Sequence, residues 1–147
     1  EQIGCETRTL SGIDIPKIAE PYIRRRALRH LEKGRIVIIA GGTGNPFFST
    51  DSAAALRAAE LNCDLLVKGT KVDGVFESDP LLNNEAKKFS SISFTEVLEK
   101  ELAIMDMTAI TLCKENNLPI LVLDITKKEN LFNALNGDKN IGTKIGK

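Results

Sequence analysis

Between Ala40 and Ser52 the chain reads Gly41-Gly42-Thr43-Gly44-Asn45-Pro46-Phe47-Phe48-Ser49-Thr50-Asp51. These residue types suit the capture of a small anion or a nucleotide. Glycines let backbone amides come close to a ligand, and a helix starting near Ser52 would present unpaired N–H groups and the positive end of its dipole. Thr43, Asn45, Ser49 and Thr50 add neutral hydrogen-bonding groups, fit for a base edge or a ribose as well as a phosphate. Phe47 and Phe48 pack awkwardly in a polar loop unless one of them meets a core or a ligand. Two familiar phosphate loops are excluded. A Walker A loop ends in Gly-Lys-Ser/Thr, and no lysine lies between Gly41 and Asp51; a dinucleotide fingerprint would need glycine where Phe47 stands. Glycine richness alone would also fit a plain strand-to-helix turn.

Other chemistry-bearing residues are scattered. Asp106 stands between Met105 and Met107 near the start of an apolar helix, where a carboxylate is favoured by the helix dipole. Asp73-Gly74 and Asp79-Pro80 are turn signals. Cys5, Cys63 and Cys113 form no Cys-x-x-Cys pair, and the single histidine, His30, leaves zinc without a ligand set. Reduced thiols in a cytoplasmic protein are expected. Lysine plus arginine balance aspartate plus glutamate at 20 each, so no global field points to nucleic acid or a membrane. Arg24, Arg25, Arg26, Arg29 and His30 line one helix, which reads as a solvated or subunit-facing surface, since no aromatics are interleaved with them. No run is long enough to span a bilayer, and no signal-peptide pattern opens the chain. The start at Glu1 rather than Met suggests that something upstream is missing.

The elements that must position these groups follow from periodicity. At 147 residues, without a linker or a repeat, the chain reads as one continuous unit. A helix is expected over Pro21–Lys33, with Ile23, Ala27, Leu28 and Leu31 as its apolar stripe and Gly34 as its stop. Ile36–Ala40 reads as a strand covered on both faces, as in a parallel sheet. Thr50 or Asp51 can cap a helix running to Leu61, and Leu65–Val67 is a second strand, together spelling a βαβ unit. Thr70–Asn84 is irregular. Ser93 and Glu96 form a capping box for a helix over Phe94–Lys100. A further helix runs from about Ile104 or Met105 to Asn116, Ile120–Leu123 is a buried strand, Glu129–Leu135 a short helix, and Ile141–Ile145 a last strand. The class is α/β with a mostly parallel sheet.

Taken together, the motifs resemble those of bacterial UMP kinases, within the amino acid kinase superfamily. Gly42 through Ala54 looks like that family's signature; Lys71-Val72-Asp73-Gly74-Val75-Phe76 with Asp79-Pro80 is similar to its adenine-nucleotide segment; Met105-Asp106 with Thr108-Ala109 resembles its catalytic-aspartate helix. Arg26–Arg35 and Ile141-Gly142-Thr143 also sit where the family has them. The resemblance implies a three-layer fold lacking its N-terminal part, with Thr43, Gly44, Asn45, Pro46, Phe47, Phe48, Ser49 and Thr50 around UMP. Thr70, Phe76 and Asp79 would contact ATP, with Phe76 offering a ring face to adenine where the family often has tyrosine. Asp106 would orient the lysines that neutralise the moving phosphoryl group, and Asp51 reads as a cap that helps order the acceptor loop. Mg²⁺ is implied by the chemistry, without an assignable protein ligand. Homohexamers and GTP or UTP effectors are implied as well, with Arg8 and Arg35 at an effector or interface site.

Two motifs of the family are absent from these residues: the Lys-x-Ser-Gly segment and the Gly-Gly-Gly-Asn loop that clamp phosphate. The chain alone is therefore expected to be inactive or nearly so. An NAD(P)-type nucleotide-binding domain and a non-catalytic assembly module are the alternatives.

Overall fold

A computed structural model describes residues 1–78, 82–83 and 85–146. The chain forms two compact units, residues 1–62 and 63–147, where the sequence alone reads as one.

The first unit holds a parallel sheet in the order β2-β1-β3, made of β1 (Thr7–Ser11), β2 (Glu20–Pro21) and β3 (Ile36–Ala40). Helix α1 (Arg24–Glu32) carries the chain from β2 to β3 and packs on β3. It begins later than its proline suggests: Pro21 closes β2 through its pairing with Ser11, and Ile23 is the N-cap. Only Ala27 of the expected stripe is fully buried, while Ile23 and Leu31 stay exposed. Its arginines meet carboxylates instead, Arg26 at Glu20 and Arg29 at Glu32. Helix α2 (Thr50–Glu60) buries Ser52, Ala53, Ala55 and Ala58. These four small residues lose little side-chain entropy on burial.

In the second unit, β4 (Leu66–Thr70), β6 (Ile120–Asp124), β7 (Thr143–Ile145) and β5 (Ser91–Ile92) form a sheet in the order β4-β6-β7-β5. Its pairs are parallel except β6 with β7. The core gathers around Ile110, Cys113, Ile120, Leu123 and Ile145, each at most 1% exposed. Burying an aliphatic side chain of this size contributes about 1.5–3 kcal/mol. Helix α3 (Phe94–Glu99) starts with the expected box: Ser93 Oγ accepts from Glu96 N, and Glu96 Oε2 accepts from Ser93 N. It packs against α4 (Met107–Glu115), and α5 (Asn130–Leu135) lies on β6. The closing strand is tied in by Thr143, whose buried hydroxyl accepts from Val75 N at 2.9 Å and donates to Phe89 O at 2.5 Å.

Mixed α/β architecture with parallel pairing holds as the sequence implies. The βαβ assignment does not. Strand β3 pairs with β1, and β4 pairs with β6, so helix α2 connects strands of two different sheets. Nor is β3 covered on both faces. Ile36 and Ile38 are 52% and 50% exposed, because the alternation of side chains turns them to the open side of a small sheet. No helix among the described residues is long and apolar enough to cross a membrane.

Candidate functional site

The carboxyl ends of β1 and β3 are adjacent, since Ser11 pairs with Ala40, and both strands run on into glycine. Gly12 N donates to Ala40 O at 2.9 Å, binding the two exits together. The second exit then turns sharply, with Gly44 N on Gly41 O at 3.0 Å and positive φ at Gly41, Gly42, Gly44 and Phe47. Thr43 Oγ1 accepts from Asn45 N at 3.1 Å, and Asn45 Nδ2 donates to Thr43 O at 3.3 Å. The loop thus has an internal framework of its own, independent of any ligand.

Thr43 to Thr50 form one continuous segment at the end of a parallel strand, the position at which open α/β sheets bind ligands. Neither aromatic is drawn into a core. Phe47 is 105% exposed in a left-handed conformation, φ +67°, and Phe48 is 55% exposed. A fully exposed ring on backbone that disfavours a side chain gains no burial from the fold, so packing does not account for Phe47 at this position. The helix cap is Ser49, not Thr50 or Asp51: Ser49 Oγ accepts from Asp51 N and Ser52 N, both at 3.1 Å. Asp51 instead lies in the first turn, favourably placed in the helix dipole.

A second candidate site lies within residues 63–147. A cavity of about 560 Å³ is lined by Thr70, Val75, Phe76, Leu102, Ile104 and Val122, with Lys68 and Lys100 among its polar members. Its size lies in the range of small-molecule pockets, and its lining sets the carboxylates of Glu77 and Glu101 beside those lysines. Two of the three expected ATP contacts, Thr70 and Phe76, line this one cavity; the third, Asp79, lies outside the described residues. Thr70 Oγ1 accepts from Val72 N at 2.6 Å, fixing the turn that follows β4. The stretch Lys100–Ile104, which supplies the far wall, carries no motif that sequence reasoning singled out. Only its apolar spacing after a short helix could have marked it.

Asp106 is the N-cap of α4, its Oδ1 accepting from Ala109 N at 2.8 Å. That bond accounts for an aspartate at this position on structural grounds alone. In the bend after β4, Asp73 joins Lys88 at 3.3 Å and Lys127 at 3.1 Å. Partial burial pushes the Asp73 carboxyl up, but hydrogen bonds from Lys127 and Lys88 outweigh it and hold the group below its ordinary 3.8. A depressed carboxyl stabilises the fold above its unfolded value, and that contribution is lost as pH falls through the folded one. Asp73→Asn is therefore expected to lower stability slightly at neutral pH, with the difference from the parent vanishing at acidic pH. Denaturant melts at pH 7 and at the acid end would check it; a difference that grew on acidification would contradict the pairing. Among the described residues no three His, Cys, Asp or Glu side chains group so as to hold a metal ion.

Arg8 and Arg35 are engaged locally, Arg8 with Glu1 at 2.9 Å and Arg35 with Glu6 at 2.7 Å. His30 spans Arg35 at 3.2 Å and Glu20 at 3.5 Å.

Residues 1–124 match the family model of the amino acid kinases. The chain belongs to the amino acid kinase family. Among solved structures it is similar to the UMP kinase of Bacillus anthracis, with 37% identity and a TM-score of 0.93 over 97% of this chain and 58% of that one. The UMP kinase of Ureaplasma parvum superposes with a TM-score of 0.94 at 35% identity, over 99% of this chain and 62% of that one. The uridylate kinase of Archaeoglobus fulgidus lies further off, at 28% identity and a TM-score of 0.68, over 86% of this chain and 59% of that one. The chain thus spans about three fifths of the length of these kinases.

Proposed function

We propose that this chain supplies the acceptor loop and the adenine-nucleotide pocket of a UMP kinase, which transfers the ATP γ-phosphate to UMP to give UDP. The observation that carries the reading is the exposed Thr43–Thr50 loop, braced from within at the end of β3 and running into the first turn of α2. Its backbone donors and short polar groups suit a nucleoside monophosphate, and its aromatics await a partner. Two superposing structures at 35–37% identity are UMP kinases, which supports this choice over other acceptors.

Asymmetry between the two sites fits such a division of labour. The loop offers hydrogen bonds without charge of its own, as a base and ribose need. The cavity around Phe76 offers apolar walls for adenine, with Lys68 and Lys100 as cations for phosphate. Asp106 is the catalytic residue of this reading, orienting the groups that neutralise the phosphoryl being moved; such transfer needs positioning and charge stabilisation more than covalent chemistry. Mg²⁺ would supply charge neutralisation at the ATP phosphates, and no protein ligand is assigned to it. A hexameric assembly and regulation by GTP or UTP through Arg8 and Arg35 complete the proposal. Replacing both arginines and finding nucleotide regulation unchanged would remove that last part.

Calorimetric titration of the chain with UMP, CMP, ATP and NAD tests the assignment. UMP and ATP are expected to bind with one site each, CMP more weakly than UMP, and NAD not at all. Turnover by the chain alone is expected to be negligible, because the phosphate-clamping motifs are not among its residues. Binding of NAD without UMP would instead favour a dinucleotide domain.

A further inference from the structure

Behind the glycine loop lies an arginine that the reading so far leaves without a task. Arg57, on the last turns of α2, has a side chain only 13% exposed. Its guanidinium lies 3.9 Å from the centre of the Tyr22 ring, its Nη1 is 2.9 Å from Glu60 Oε2, and its Nη2 donates to Gly42 O at 3.4 Å. Nε is buried and has no partner among the described residues. Tyr22 is fixed in turn: its N donates to Ser11 O at 2.8 Å and its hydroxyl to Glu60 Oε2 at 2.7 Å. Burial, and then the Glu60 carboxylate, push the Tyr22 phenol up to about 12, so it remains a donor across the physiological range.

Each link has a physical sense. The carboxylate orients the guanidinium, the aromatic face holds it from one side, and the planar fork leaves one amino group to point at the loop. A buried charge with a bare Nε costs stability, and a helix-to-core contact alone would be served as well by an apolar side chain. What an apolar side chain could not do is grip a carbonyl in the middle of a turn. That carbonyl belongs to Gly42, next to Thr43, and it faces the first strand exit as well, since a Cβ on Gly12 would stand 2.7 Å from it.

We propose that Arg57, held by Tyr22 and Glu60, is a positioning residue that locks the glycine loop from behind and sets the placement of its Thr43–Phe48 donors. The proposal rests on the acceptor-loop reading for its consequence in UMP binding, but not for the lock itself. Amide hydrogen exchange in the unliganded chain reads the lock directly, at the Gly44 and Asn45 amides. In Arg57→Met these amides are expected to exchange about tenfold faster, the loss of one charged hydrogen bond, while core amides of α4 keep their protection. Arg57→Lys, which keeps the charge but not the fork, should fall between. UMP titration of the same variants should show a dissociation constant raised about tenfold in Arg57→Met, with ATP binding within twofold of the parent. Unchanged loop exchange in Arg57→Met, or equal acceleration across α4, would overturn the lock. Failure of the parent chain to bind UMP would sink the acceptor reading instead, with the exchange result still deciding what Arg57 does.

Discussion

Gly44→Ala is expected to weaken UMP binding at least about 100-fold and to leave ATP binding untouched. Two costs coincide at this position. Gly44 sits at φ +76°, where an L side chain costs about 1–2 kcal/mol. A Cβ there would also stand 2.3 Å from Gly12 O and 3.2 Å from Gly12 C. Both are backbone atoms at the end of a paired strand, so nothing soft can give way, and the turn must move by about 1 Å. A displacement of that size in a binding constellation costs about 100-fold. Gly34→Ala separates the two costs. Gly34 has φ +70° but open space where a Cβ would stand, so it bears only the conformational term. Its substitution should lower the melting temperature by about 2–8 °C and leave UMP affinity alone. Calorimetry with each nucleotide on each variant makes the comparison. UMP affinity in Gly44→Ala within threefold of the parent would mean that the turn does not hold the nucleotide.

The loop was legible because its residues have few other uses: glycines at the end of an apolar run, a proline, then residues that cap helices. Local bonds of this kind depend on neighbours in sequence, and so the Ser93–Glu96 box also formed as its spacing implies. Competition among equals was not legible. Ser49, Thr50 and Asp51 can all cap a helix, and only the fold shows that Ser49 does so. Strands β1 and β2 escaped notice because Thr7–Ser11 mixes polar and apolar residues and Glu20–Pro21 is two residues long. Strand β1 is held by β3, almost thirty residues away in the chain, and β2 by β1, not by any pattern of their own. The partnership of β3 with β1 rather than β4 is likewise a matter of tertiary choice, since an apolar strand carries no label for its neighbour. Arg57 and Glu60 have the i,i+3 spacing that a helix brings together, but Tyr22, 38 residues before Glu60, turns that ordinary pair into a half-buried cluster. Thr70 and Phe76 were recognisable from a resemblance of motif; that they share a cavity with Lys100–Ile104 required the fold.

Asp106→Asn is expected to cut phosphoryl transfer by at least about 100-fold while UMP and ATP affinities and the melting temperature stay nearly constant. The substitution isolates charge from structure. Asparagine caps helices as well as aspartate does, so the bond from Ala109 N to the side-chain oxygen survives, and α4 keeps its start. What disappears is the carboxylate's charge, and with it the proposed hold on cationic groups around the phosphoryl in flight. Losing a single preorganised electrostatic partner in a transition state costs about 100- to 1,000-fold in turnover. Asp106→Ala removes both roles and should additionally destabilise by about 1 kcal/mol, which tells the cap from the catalyst. Because the chain alone is expected to be silent, rates are to be measured in a chimera in which it replaces the matching part of the Bacillus anthracis UMP kinase. A chimera carrying Asp106→Asn that turned over within a few-fold of its parent would reduce Asp106 to a helix cap. An unchanged rate in Asp106→Asn beside a lowered melting temperature in Asp106→Ala would show that reduction most directly, since the cap alone would then explain why an aspartate stands there.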